Sequence, residues 1–253
     1  MTPNEVLDAA ERAIQQSDLD EAERLLTQAW PGMSKAPGDA LHALAQVRLL
    51  QNRANEADAL LSDAVRAEPH SLRHHIAWGH VLLGLGRHAE AASAYSRALE
   101  IDRKWPGLLL TFARAAYAAG RYPESERAAR EALSQEQSAE AWNALSGALR
   151  AQGKAREALE AALSALHLDP IHAGALNSKG AALLALGNAQ EALAVFDQIV
   201  GDGVQSPVLS LNRGTALMML KRKAEAEAVF EEALRLWPDL PNLKQQVAQR
   251  RAQ

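Results

Sequence analysis

Apolar residues recur three or four positions apart through almost the whole chain. At regular intervals a glycine or a proline breaks the stripe. The clearest copy begins at Ala139 and ends at Asp169–Pro170. Trp142, Leu145 and Leu149 share one face of a first helix, and Ala158, Ala162 and Ala165 share one face of a second. Gly153 falls between the stripes, where a tight turn is needed, and Pro170 cannot continue a helix. Alanine at facing positions lets the two backbones approach closely. The pattern predicts a helix–turn–helix hairpin of about 34 residues, which cannot bury its apolar faces alone and must stack on neighbours.

The copies are present. The small residue Ala158 recurs as Ala22, Ala57, Ala91, Ser125, Ala192 and Ala226, in steps of 33 to 35. The turn glycine recurs as Gly86, Gly120 and Gly187, with Ser17, Asn52 and Lys221 in its place elsewhere. Four residues after the small residue stand Leu26, Leu61, Tyr95, Phe196 and Phe230, and the closing proline returns as Pro69 and Pro238. Seven units follow, over about 3–37, 38–71, 72–105, 106–138, 139–172, 173–206 and 207–240. Residues 241–253 form a last helix, in which Leu240, Leu243 and Val247 share one face and glutamines and arginines surround it. It reads as a solubilising cap. Pro3 suits a first helical position with Thr2 as its cap. The turn at Gly201–Asp202–Gly203 lacks the proline and is expected to be looser.

This succession resembles the tetratricopeptide repeat family, whose pattern is W-x2-L-G-x2-Y, then A-x3-F, then A and P. The resemblance covers residues 3 to 240. It implies an all-α fold, a right-handed superhelical solenoid forming one domain over 1–253. It also implies a concave groove lined by the first helix of each repeat. Family ligands touch the second, fifth, sixth, ninth, twelfth and thirteenth residues of that helix. Carried onto this chain, those positions give Asp39, His42, Gln46, Arg73, His80, Thr111, Arg114, Tyr117, Glu140, Asn143, Arg150, Asn177, Ser178, Asn212 and Thr215. Asparagine both donates and accepts, so it suits a peptide backbone of any sequence, and arginine holds a carboxylate through two parallel bonds. Arg114 and Arg150 are expected to meet acidic groups of the partner. Two family sub-types are not matched. No three successive repeats carry the Lys–Asn, Asn, Lys–Arg clamp for chaperone tails. Of the asparagines, only Asn212 is sixth in its helix, so an asparagine ladder is partial.

Composition narrows the chemistry. Aromatics are only 4% of a chain that is 48% hydrophobic, so alanine and leucine must build the core. The net charge of −4 disfavours a nonspecific nucleic-acid binder. Without cysteine there is no disulfide, thiolate metal site or cysteine nucleophile, which fits a cytoplasmic protein. No apolar run approaches the ~20 residues of a membrane span, so membrane insertion is not expected. The cluster His70, His74, His75 and His80 lacks metal-ligand spacing and reads as surface or interface histidines, with His75 facing its own hairpin. The glycines at 84–86 and 201–203 have no phosphate-loop context. Lys221–Glu225 and Lys223–Glu227 are spaced as helix ion pairs. No catalytic acid–base pair, metal site or cofactor site emerges. The expected function is a noncatalytic adaptor that holds an extended peptide or a partner helix. The alternatives are the substrate-recruiting part of a larger bacterial sulfotransferase, hydroxylase or glycosyltransferase, and self-association through the repeat ends.

Overall fold

The computed structural model describes residues 1–33 and 35–251, and among them every regular element is an α-helix. The helices group into two compact units, Met1–Gly120 and Arg121–Gln253. The first holds α1 (Pro3–Gln15), α2 (Leu19–Ala29), α3 (Gly38–Leu50), α4 (Ala54–Ala67), α5 (Leu72–Gly84), α6 (His88–Ile101) and α7 (Leu108–Ala118). The second holds α8 (Tyr122–Gln135), α9 (Ala139–Ala151), α10 (Ala155–Leu168), α11 (Ala173–Ala185), α12 (Ala189–Gly201), α13 (Pro207–Met219), α14 (Lys223–Leu236) and α15 (Leu243–Arg251).

The ends of these helices follow the signals in the sequence. Thr2 caps α1 in a reciprocal box with Glu5, and Pro3 stands first. Glu90, Glu124, Glu157 and Glu191 occupy first turns, where a negative charge meets the positive helix end. The seven turn residues are all left-handed: Gly86, Gly120, Gly153 and Gly187, and equally Ser17, Asn52 and Lys221 at φ 60° to 62°. The turn geometry is therefore kept even where glycine is not. The turn at Gly201–Gly203 is not looser. α12 closes there on a left-handed Gly203, whose N–H reaches the Val200 carbonyl at 3.0 Å.

Within five of the hairpins the core is set by complementary sizes. Sixteen residues separate a small residue on the first helix from its counterpart on the second. Where the counterpart is aromatic, the small residue is glycine, as in Gly79–Tyr95, Gly180–Phe196 and Gly214–Phe230. A methyl group added at these glycines would stand 2.6, 2.4 and 2.2 Å from the ring. Where it is leucine, the small residue is alanine, as in Ala10–Leu26 and Ala45–Leu61. In the fifth hairpin both members shrink to Ser146 and Ala162, and the Ser146 hydroxyl donates to the Ala158 carbonyl at 2.7 Å.

A second periodic device joins successive hairpins. An acidic residue directly follows the small residue of helices α2, α4, α8 and α14. Glu23 accepts from the buried Arg48 guanidinium through both oxygens at 2.6 Å, and this bond holds its carboxyl down to about 2. Asp58 accepts from Trp78 and Arg87, Glu126 from Gln152 and Lys154, and Glu227 pairs with Arg251. The spacing-based partners of Lys221 and Lys223 are taken by other residues: Glu225 is held by Arg222 within its own helix start, and Glu227 by Arg251.

At the C-terminus Leu243 and Val247 are buried against the core of α12, α13 and α14. Leu240 does not share their face. It precedes α15 and remains 43% exposed.

Candidate functional site

In the first unit, the first helices of three hairpins frame a cleft of about 550 Å³. Ile14 of α1 with Leu49 and Leu50 of α3 supplies apolar wall, and Glu11, Gln15, Gln46 and Arg73 supply the polar rim. Leu49 and Leu50, at the end of α3, are 39% and 57% exposed. A second cavity of about 340 Å³ shares Gln46 and Leu49, and adds His42, Ala77, His80 and Val81. Tyr95, edge-on to His80, keeps its hydroxyl enclosed with no hydrogen-bond partner among the described residues, and burial pushes its ionisation up.

The expected contact residues divide on inspection. Gln46, Arg73 and His80 line these hollows of the first unit. Arg114 is exposed on α7 and Tyr117 is half-buried, while Thr111 donates its hydroxyl to the Gly107 carbonyl of its own turn. In the second unit Arg150, Asn177, Ser178 and Asn212 line a third hollow, of about 210 Å³. Ser178 donates to Asn143 at 2.7 Å, and Asn212 donates to Asn177 at 3.1 Å. Two residues are buried. His42 lines the second cavity, with its Nε2 3.3 Å from the Gln46 side-chain amide. Thr215 is buried, and its hydroxyl donates at 2.7 Å to the Leu211 carbonyl one turn back.

The histidine cluster also differs from expectation. His70 and His80 are exposed, but His74 and His75 are buried. His75 does face its own hairpin, with Nε2 at 2.9 Å from the Pro69 carbonyl. His74 lies between Asp39 and Glu68, and the three bring potential ligand atoms within 4.8 Å of one another. The two carboxylates bracket the ring: Asp39 is within hydrogen-bond reach of Nε2 at 3.2 Å, and Glu68 stands 3.7 Å from Nδ1, beyond that reach. The Arg73 guanidinium is also 3.6 Å from Asp39. Glu68 accepts from the Gly38 N–H at 2.8 Å, and a side chain at Gly38 would collide with both Glu68 and His74. Beside this bracket the His42 ring is held down to about 4 by burial, with the Arg73 charge and His74 adding to it.

Family models described as tetratricopeptide repeat match residues 42–107, 82–148, 144–208 and 205–241. The chain belongs to the tetratricopeptide repeat family. No protein among the curated relatives searched matches it. Solved structures share the fold of this tetratricopeptide repeat chain at low identity. One is a tetratricopeptide repeat protein from Parabacteroides merdae ATCC 43184, at 16% identity and a TM-score of 0.78 over 98% of both chains. The Cut9–Hcn1 hetero-tetramer of the APC/C is similar at 16% identity and a TM-score of 0.64, over 98% of this chain and 48% of that one. A Naa15/Naa10 complex bound to HypK is similar at 18% identity and a TM-score of 0.54, over 99% and 39%.

Proposed function

We propose that this tetratricopeptide repeat chain is a noncatalytic scaffold that holds a protein partner, as an extended peptide or a helix, against the first helices of its hairpins. The observation that carries the reading is the cleft of α1, α3 and α5. Leucines there stay in water, and charged and amide groups of both signs ring them. An apolar centre with a polar rim is the anatomy of an interaction surface, and burying such a centre supplies most of the binding energy. Two of the similar folds belong to proteins solved within multi-protein complexes, which supports the same reading.

The test is affinity capture with the wild-type chain and with Leu49→Asp/Leu50→Asp, read by quantitative mass spectrometry. Both leucines are exposed, so the helical signal and melting temperature should change little. Proteins retained by the wild type should be depleted about tenfold or more on the variant, since losing a central anchor costs about 2 kcal/mol or more. Equal retention by the two would remove the cleft from the function.

A further inference from the structure

The bracket around His74 leaves one ring nitrogen unmatched. Glu68 closes α4 and His74 stands in the first turn of α5, so the two flank one turn between hairpins, and Asp39 comes from the first turn of α3. Local chemistry fixes the carboxylate of Glu68. Pro37 offers α3 no side-chain cap, and Glu68 Oε1 takes that role by accepting the Gly38 N–H at 2.8 Å. Gly38 has to lack a side chain here, since a Cβ would stand 2.7 Å from both the Glu68 carboxyl and the His74 ring. With Oε1 held by the backbone, Oε2 is the oxygen turned to His74.

The ring is fixed as well. A carboxylate only accepts, so the His74 Nε2–Asp39 bond at 3.2 Å puts the imidazole proton on Nε2. Nδ1 then presents a lone pair. His74 is fully buried, and its Nδ1 has no hydrogen-bond partner among the described residues. It faces Glu68 Oε2 across 3.7 Å. Two acceptors that face each other call for a positive charge between them. An N–H···O bond would have to close the gap to about 2.9 Å. A tetrahedral zinc ion with nitrogen and oxygen ligands at ~2.1 Å holds them about 3.4 Å apart, which is much nearer to what is found. A histidine whose other nitrogen donates to a carboxylate is also the usual arrangement at metal centres, because that bond sets the tautomer and makes the free nitrogen more basic.

We propose that His74 Nδ1 and Glu68 Oε2 bind one divalent first-row transition ion, with zinc as the best match. Asp39 is the positioning carboxylate, and water fills the remaining places. The Glu68 side chain is 41% exposed, which leaves the outer side of the ion open to water. Imidazole with carboxylate suits zinc, whereas magnesium and calcium take all-oxygen shells. Arg73, 3.6 Å from the same Asp39 oxygen, holds that carboxylate on the Nε2 side. It also brings a positive charge near the ion, so the affinity is moderate. The ion joins the second hairpin to the third, whether or not the apolar cleft holds a partner. The spacing of the histidines gives no sign of it, because the ligands flank a turn instead of sharing a helix face.

The experiment strips the full chain with a chelator and titrates it with zinc chloride by calorimetry near neutral pH. Glu68→Gln, His74→Gln, Asp39→Ala and His167→Gln are treated alike, each checked by circular dichroism. Glu68→Gln keeps a carbonyl for the Gly38 N–H and loses only the anionic ligand. The wild type should bind one ion with a Kd below about 100 µM. Glu68→Gln and Asp39→Ala should each weaken it about tenfold or more, and His74→Gln should abolish it. His167→Gln, on the exposed surface of α10, should bind as the wild type does. Nitrogen NMR of the histidine rings reads the site directly. Zinc should shift His74 Nδ1 while Nε2 keeps its proton, and metal-free Asp39→Ala should show mixed tautomers. If His74→Gln does not fold, Glu68→Gln and the Nδ1 shift still decide the matter. Binding weaker than about 100 µM, equal binding by Glu68→Gln or Asp39→Ala, or an equal loss in His167→Gln overturns the proposal. So does displacement of zinc by millimolar magnesium, or a His74 ring that zinc leaves unchanged.

Discussion

At the scale of single residues, five of the hairpins pair a smaller residue with a larger one, glycine with an aromatic ring or alanine with leucine. Gly180 is a poor helix residue by about 1 kcal/mol relative to alanine, so propensity alone would favour Gly180→Ala. The Phe196 ring stands 2.4 Å from where the new methyl would sit, and overpacking of that kind typically costs ~1–3 kcal/mol. The variant should therefore unfold at lower denaturant, and Phe196→Leu added to it should recover much of the loss by recreating the Ala45–Leu61 combination. An unchanged midpoint for Gly180→Ala would mean that the ring moves aside at no cost. His42 gives a residue-scale prediction of another kind. Its folded pKa lies below the unfolded value, at about 4 against 6.5, because burial resists its charge. The unfolded chain binds the extra proton first, so stability is full above pH 6.5 and falls as pH drops toward 4. The loss from this group is on the order of 3 kcal/mol. Denaturant titrations across that range should show a smaller loss in His42→Gln. Glu23 acts in a separate window: its depressed carboxyl contributes above pH 4.5 and fails only as pH falls toward 2.

At the scale of elements, the hairpin and its turn were readable from the sequence, and the reason is local. A left-handed turn residue, a small residue at a fixed distance and an acidic first turn are all set within 34 or so positions of one another. Even Ser17 and Lys221, which carry no glycine signal, were placed at turns by period alone and are left-handed. The acidic links to the next hairpin were not foreseen, since Glu23 and Arg48 are 25 residues apart and belong to different repeats. The last helix shows the same limit. Leu240 fits the three-and-four spacing with Leu243 and Val247, yet the helix starts only at Leu243. Leu243→Ala should cost about 2–5 kcal/mol, as expected for a leucine lost from a close-packed core, while Leu240→Ala should fall within about half a kcal/mol of wild type. Urea midpoints of the two variants check this, and equal losses would restore the longer helix.

At the scale of the whole molecule, among the described residues no helix is long and apolar enough to cross a membrane, and the charge is mildly acidic. The chain divides into two compact units, and each keeps its own kind of hollow, apolar in the first and cationic in the second. That contrast was only half visible beforehand. The sequence named Gln46, Arg73, Arg150, Asn177 and Asn212 by their positions in successive first helices, and all five line hollows. It missed Leu49, Leu50, Gln246 and Arg250, which lie outside the polar contact set or beyond the last repeat. By itself, the sequence determined the period, the hairpins, their turns and the family, because each depends on residues close along the chain and on backbone preferences that local chemistry dictates. Only the tertiary structure decided that His42 and Thr215 are enclosed, that leucines of α3 remain in water, and that α15 carries Arg250 into the hollow that Arg150 lines. Those outcomes depend on which helix packs over which face, and a repeat that is alike in every copy holds no record of how one copy covers the next.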